Sequence, residues 1–262
     1  AVAKAAGTLH NLRWFEVTPL GGGFHLGGHE ILFTNSALWM VVAAITLGIF
    51  MWGGMRRQLV PGRWQAAVEG FTGFISSMMT QNIGSEGRKF TPYVFSLFMF
   101  ILFCNLLGML PLGVFGIHPF TVTSHIAITG VLALVSFAIV LVVGFWRHGL
   151  HFFSLFVPHG TPLPMIPIIA PIEFVSFMVR PFSLGLRLFV AMTAGHVLLK
   201  VLSGFVINGF NAETVWLGSI VSVLSFILMI GISALELLVA GIQAYVFALL
   251  TSLYINDAVN LH

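Results

Sequence analysis

The sequence predicts an all-α integral membrane protein, and three observations carry that reading. Only 7% of the 262 residues are Asp, Glu, Lys or Arg, where a soluble domain carries about a quarter. Hydrophobic residues make up 58% of the chain, with Phe alone at 26 positions. No residue of those four charged types occurs between Lys89 and Arg147, which leaves room for two bilayer crossings of about 20 residues each. So little charge does not cover the surface of a water-soluble fold. No recurring apolar/polar alternation of about ten residues is present, which argues against an outer-membrane barrel.

The net charge of +3 does not mark a nucleic-acid-binding surface, because the basic residues sit in short loops where they set membrane orientation. Cys104 is the only cysteine, so neither an internal disulfide nor a cysteine-based metal knuckle is available. No cofactor is expected. The chain starts at Ala1 rather than Met, and no signal-peptide pattern precedes the first span. A removed targeting segment is one reading of that start, and a trimmed sequence looks the same.

The whole chain, 1–262, reads as a single membrane domain in three parts. Residues 1–34 are mixed and glycine-rich, with no sustained period, and are expected to form an irregular amino-terminal arm. Residues 35–160 hold three conventional spans and an amphipathic helix. The first span covers 36–52 and is closed by Arg56, Arg57 and Arg63. Residues 61–83 are too polar to cross, but Trp64, Ala67, Val68, Phe71, Phe74, Ile75 and Met78 recur at helical spacing, as in an amphipathic helix lying near the interface or leading into the next span. A second span at 91–110 follows Arg88 and Lys89 and stops at an uncharged hairpin, 111–119. The third, 122–145, ends at Arg147 and His148. Alternate threading puts all these basic sites on one side of the membrane. The positive-inside rule makes that side the matrix or cytoplasm, with the amino terminus opposite.

Residues 161–262 differ. Pro158, Pro162, Pro164, Pro167 and Pro171 interrupt the approach, so regular helix is expected from Pro171, a tolerated first-turn position, with Pro181 as a kink. Residues 171–207 then make roughly 50 Å of helix and residues 213–254 roughly 60 Å, against a hydrocarbon core of about 30 Å. Joined at 208–212, they form a long helical hairpin that has to cross the membrane steeply tilted. The absence of an internal repeat weakens an inverted-repeat transporter reading.

Charge at mid-bilayer costs at least ~2.5–3.5 kcal/mol per residue and marks ion paths and proton relays. The first hairpin helix carries Glu173, Arg180, Arg187, His196 and Lys200; the second carries Glu236 and Gln243. Glu173, Arg180 and Arg187 recur every seven residues and share one slowly drifting face. In an antiparallel hairpin Arg187 can face Gln243, with His196 and Glu236 displaced toward the turn and Glu173 about 21 Å the other way. His196 is about half a turn away from Arg187. One permanent cation thus stands between two titratable groups that need not form a continuous wire, a pattern that suits two half-channels better than a through-pore.

Each residue also has a plainer reading. Lys200 fits a snorkelling side chain near a helix end, and Arg180 an interfacial anchor or partner of Glu173. Arg187 is too deep to snorkel. Gln243 and Asn105, the latter in the middle of span two, suit a tie between helices as well as a channel lining. His148, His151 and His159 fit loop histidines better than a metal site, since they lack carboxylate neighbours. Gly185, Ala191, Ala194 and Gly195 are small enough to let a partner helix approach the Arg187 face.

At these residues the sequence resembles subunit a of the F-type ATP synthases, called ATPase subunit 6 in mitochondria. The resemblance runs from about Asn35 to Asp257. It rests on Pro181-Phe-Ser-Leu-Gly-Leu-Arg187-Leu-Phe-Val-Ala-Met-Thr-Ala-Gly-His196, on Leu235-Glu236-Leu-Leu-Val-Ala-Gly-Ile-Gln243-Ala-Tyr-Val-Phe247, and on residues 95–111 with Asn105-Leu-Leu-Gly108. Arg147-His-Gly-Leu150 and Leu155-Phe-Val-Pro158 look like the α-proteobacterial and mitochondrial branch. The resemblance implies a non-catalytic, proton-translocating stator subunit with no cofactor or metal. Its implied partners are a ring of c subunits, the peripheral stalk and other membrane subunits, and lipid, but no nucleic acid.

The resemblance makes Arg187 the essential stator arginine facing the ring. His196, Glu236, Gln243 and Asn105 would line or border the half-channel from the periplasmic or intermembrane side, and Glu173 the exit toward the cytoplasm or matrix. Members commonly carry Asn four residues after the arginine; here that position is Ala191, so water or another residue has to take its place. The absent start Met and the basic loops favour a mitochondrial inner membrane over a bacterial plasma membrane. The competing readings are a secondary proton-coupled transporter, which needs a substrate cavity, and a histidine-box membrane metalloenzyme, which needs more histidine clusters than this chain has.

Overall fold

The computed structural model describes residues 24–26, 29–31, 34–55, 62–110, 121–149, 152, 163–210 and 215–260. It is helical throughout, apart from a small ribbon in the amino-terminal arm. There β1 (Phe24–Leu26) pairs antiparallel with β2 (His29–Ile31), Phe24 opposite Ile31. That local order was not anticipated in the arm. The rest of residues 1–33, and the expected hairpin at 111–119, lie outside the described residues.

Six helices follow: α1 (Asn35–Gly54), α2 (Arg63–Ile83), α3 (Thr91–Met109), α4 (Ile126–His148), α5 (Ile166–Phe210) and α6 (Val215–Val259). Short 3-10 turns cover Gly84–Lys89, Val122–Ser124 and Leu163–Met165. Among the described residues five helices are long and apolar enough to cross a membrane, and α2 is not one of them. Apolar side chains such as Leu134, Val142, Ile168 and Leu238 stand outward, the arrangement lipid favours and water does not. Trp52 and Trp146 occupy the last turns of α1 and α4, and Trp216 the first turn of α6; all three are highly exposed, the position of interfacial anchors.

α5 and α6 are each 45 residues long, or about 68 Å at ideal rise, longer than the sequence reading gave them. α5 begins five residues before Pro171 because Pro167 falls in its first turn, where a backbone N–H has no helical acceptor to lose. Pro171 and Pro181 lie inside the helix, each removing one bond from the ladder.

The chain groups into two compact units, and α1, α3, α5 and α6 contribute residues to both. The first comprises 1–46, 102–124 and 190–242. In it α5 and α6 run antiparallel: Ser222 Oγ donates to Val206 O at 2.9 Å. A Cβ on Gly209 would stand 2.7 Å from Gly218 O and also strike Ser222 Oγ, so glycine is what permits the approach.

The second unit comprises 47–101, 125–189 and 243–262. Met79, Val94, Ile101, Val140, Phe152, Phe177, Phe247 and Ile255 are fully buried in it. Trp64 Nε1 donates to Phe50 O at 2.8 Å, tying α2 back to the end of α1. The face α2 buries is Gln65, Val68, Ile75, Met78, Met79 and Ile83, while Trp64 and Phe74 are exposed. Val68, Ile75 and Met78 of the expected apolar face are thus buried and Trp64 and Phe74 are not, since periodicity does not separate residues that meet protein from residues that meet lipid. Arg147 pairs with Glu86, and His148 Nε2–H donates to Val259 O at 3.2 Å. The turn before α3 and the end of α6 therefore both meet the end of α4.

Two expectations follow. Gly209→Val should destabilise the protein by about 1–3 kcal/mol through overpacking, read as a lower unfolding temperature of the protein in detergent; an unchanged temperature would mean the approach is not tight. The Glu86 carboxylate is held below its ordinary value of 4.5, chiefly by the hydrogen bond from Arg147. A lowered pKa contributes stability above the ordinary value and loses it as pH falls through the lowered one. Glu86→Gln should therefore lower stability slightly at neutral pH, an exposed pair being worth little, leave it unchanged at low pH where the carboxyl is already protonated, and so flatten that acid limb of a stability profile.

Candidate functional site

In the first unit α5 supplies His196, α6 supplies Glu236, α3 supplies Asn105, and the turn before α4 supplies Thr121 and Thr123. Span three was expected from residue 122, but α4 starts at Ile126. Thr121, Thr123 and Ser124 account for the delay. Ser124 Oγ donates to Thr121 O at 2.7 Å, a local bond that competes with helix formation, while the Thr121 and Thr123 hydroxyls reach across to other helices. The result is a buried, hydroxyl-rich turn.

His196 Nδ1 lies 3.4 Å from Glu236 Oε1. Its Nε2 is 2.6 Å from Thr121 Oγ1, which donates to Gly108 O at 3.3 Å. Glu236 is only 3% exposed, and neither carboxylate oxygen accepts a hydrogen bond among the described residues. The pair opens on a cavity of about 680 Å³ whose other walls include Thr46, Gly108, Ser233 and Leu237. Asn105 is fully buried. It donates to Ala240 O at 3.1 Å and accepts from Thr123 Oγ1 at 2.7 Å, so in the structure it ties α3 to α6 and to the turn. A Cβ on Gly195 would come within 2.7 Å of Glu236 Oε1. The glycine expected to admit a partner helix instead admits the chain's own carboxylate. Gly185 is likewise occupied from within, with Thr129 O 3.1 Å from where its Cβ would be.

The second unit holds the remaining candidates. Arg187 is exposed and forms no hydrogen bond or ion pair among the described residues. Gln243 is half-buried, and no hydrogen bond joins the two. Glu173 stands 3.9 Å from Arg180, whose closer partner is Asp257, at 2.6 Å between Nη1 and Oδ2. The guanidinium also lies over the rings of Phe177 and Tyr254, 5.5 and 5.3 Å from their centroids. Arg180 is thus a partnered anchor, as one of its readings had it, though mainly through an aspartate the sequence did not single out.

Sequence reasoning missed Thr121, Thr123 and Asp257. The Thr-Val-Thr-Ser run at the head of an apolar helix was the available signal for the first two. Asp257 gave none, since its partner is 77 positions away. Among the described residues no group of three His, Cys, Asp or Glu side chains could hold a metal ion; His151 and His159 lie outside them. Cys104 is buried and unpaired.

Comparison with known proteins bears on the whole arrangement. The family described as ATP synthase A chain matches residues 37–256. The chain is similar to a protein named ATP synthase subunit a from Sphingopyxis alaskensis, 90% identical with all of both chains covered. It is similar to another of that name from Rhizorhabdus wittichii, 69% identical over the full length of both. A third, from Rhodospirillum rubrum, is 44% identical over 95% of this chain and 97% of its own. These relatives are bacterial, so the preference for a mitochondrial membrane finds no support in them. A missing Met and basic loops do not distinguish the two membranes, because the positive-inside rule holds in both. The match takes in α2 to α5 and nearly all of α1 and α6, with Asn105, Arg187, His196 and Glu236 inside it, and the chain belongs to the ATP synthase A chain family.

Proposed function

We propose that the chain is the non-catalytic, proton-translocating stator subunit of a rotary ATP synthase in a bacterial plasma membrane. It would act as one membrane domain, with its long hairpin tilted against a ring of c subunits and with peripheral-stalk and other membrane subunits around it. The observation that carries this reading is the His196–Glu236 pair, 3.4 Å apart, opening on a cavity between apolar helices long enough to cross a membrane. Family membership supports it, and the names of the relatives agree with it.

In this mechanism protons enter from the periplasmic side through the cavity and pass by way of Glu236 and His196 to a carboxylate on a c subunit. Asn105 and Gln243 border the inlet. Once neutral, that carboxylate can turn into lipid without the cost of a bare charge. After nearly a full revolution it reaches the exit, bordered by Glu173, and loses its proton because the Arg187 charge favours the ionised form. A guanidinium suits this position because it keeps its proton: it attracts the rotor carboxylate and carries nothing itself. The lack of an ion-pair partner for Arg187 among the described residues leaves the charge available to a carboxylate from another subunit. Arg187 thereby blocks a direct leak between the half-channels.

Arg187→Ala should abolish proton-driven ATP synthesis while raising passive proton leak, and Arg187→Lys should also fail, since an ammonium can be neutralised by desolvation. Near-normal synthesis in the Lys variant, measured in energised vesicles, would remove the case for a non-titrating barrier. Cysteines placed at 196 and 236 in a Cys104-free background should react with a polar thiol reagent supplied from the periplasmic side. Reaction only from the basic-loop side would overturn the assignment of the inlet.

A further inference from the structure

Beside the His196–Glu236 pair lies a hydroxyl that the mechanism above does not use. A threonine hydroxyl carries one hydrogen. The Thr121 hydroxyl lies within bonding distance of two groups, Gly108 O at 3.3 Å and His196 Nε2 at 2.6 Å. The carbonyl can only accept, so satisfying both contacts sends the hydroxyl hydrogen to Gly108 O and requires Nε2–H to donate to Thr121 Oγ1. That assigns the neutral imidazole its tautomer. Nδ1 then carries the lone pair, and it is Nδ1 that stands 3.4 Å from Glu236 Oε1.

We propose, resting on the inlet reading above, that Thr121 is a positioning residue that holds neutral His196 as its Nε2–H tautomer, so that Nδ1 alone exchanges protons with Glu236. The exchange balances simply: a proton leaves the Glu236 carboxyl for Nδ1, giving carboxylate and imidazolium, and returns or moves on when Nδ1 gives it up. Nε2 keeps its hydrogen on Thr121 throughout. Without the hydroxyl the second tautomer becomes accessible, in which Nδ1 already carries hydrogen and cannot accept. The turn is built for this contact. Thr121 is buried, Ser124 bonds back to Thr121 O within the turn and Thr123 ties the turn to Asn105 of α3, and Gly108 leaves room for Thr121: a Cβ there would stand 2.5 Å from Thr121 Oγ1. Among the described residues the other charged groups bearing on the ring are Glu236 from α6 and Lys200 on its own helix, while α3 brings the Gly108 carbonyl to Thr121.

The test uses the assembled membrane sector in vesicles stripped of the catalytic head. Passive proton flux is measured under a potassium diffusion potential while the inlet-side pH is varied across the range where imidazole titrates. Thr121→Val should lower flux about tenfold, the order expected when a buried polar group loses its partner, and should shift the pH of half-maximal flux. Thr121→Ser, which keeps the hydroxyl, should restore both. Gly108→Ala, which displaces the hydroxyl without removing it, should give the same pH shift, and it decides the matter if Thr121→Val does not assemble. A wild-type pH midpoint in the Val or Ala variant, or equal impairment in the Val and Ser variants, overturns the proposal. Glu236→Gln separates the two levels. If it blocks flux while Thr121→Val conducts normally, only the positioning role falls; if it conducts normally, the inlet reading fails and the positioning role with it.

Discussion

Hydrocarbon offers no hydrogen bonds, so a polar group at membrane depth has to be paired, wetted or turned toward a partner. Much of this chain's architecture answers that constraint. The hydroxyls of Thr121, Thr123 and Ser124 donate to Gly108 O, Asn105 Oδ1 and Thr121 O. Asn105 spends its amide on Ala240 O and accepts from Thr123. Arg180 is held between two carboxylates and two aromatic rings. Against this background the buried Glu236 carboxylate and the exposed Arg187 stand apart, because among the described residues neither has its hydrogen-bonding capacity met.

Polar pairing at such close quarters depends on small residues. Glu236 reaches His196 only because position 195 is glycine, and Thr121 reaches Gly108 O only because position 108 is glycine. Small residues let helices approach closely in the absence of a hydrophobic drive between them. In this chain the same device brings side chains, as well as backbones, into contact. The glycines of the first unit therefore serve the site as much as the packing.

The proposed mechanism draws on a contrast between two kinds of charge. Glu236 and His196 can each gain or lose a proton and sit where a cavity reaches them. Arg187 cannot lose its own under physiological conditions, and its exposure fits a surface completed by another subunit. A relay needs groups of the first kind and a barrier needs one of the second. Exchanging them would abolish both functions, since a titrating barrier leaks and a fixed charge conducts nothing.

Composition alone determined the membrane class: a chain with 7% charged residues has no other surface to offer than one made for lipid. Runs of apolar residues placed α1, α3 and α4 to within a few positions, because a span is fixed by the thickness it must cross. The excess length of α5 and α6 was legible for the same reason. The sequence also singled out Arg187, His196 and Glu236, since charge inside an apolar run is too costly to be incidental. The tertiary structure alone decided which polar groups meet. Thr121 lies 75 positions from His196 and Asp257 lies 77 from Arg180, and no periodicity within one helix reports on a contact between two. It likewise decided which face of α2 is buried and which close approaches the glycines serve, because each depends on the neighbour present rather than on the residue itself.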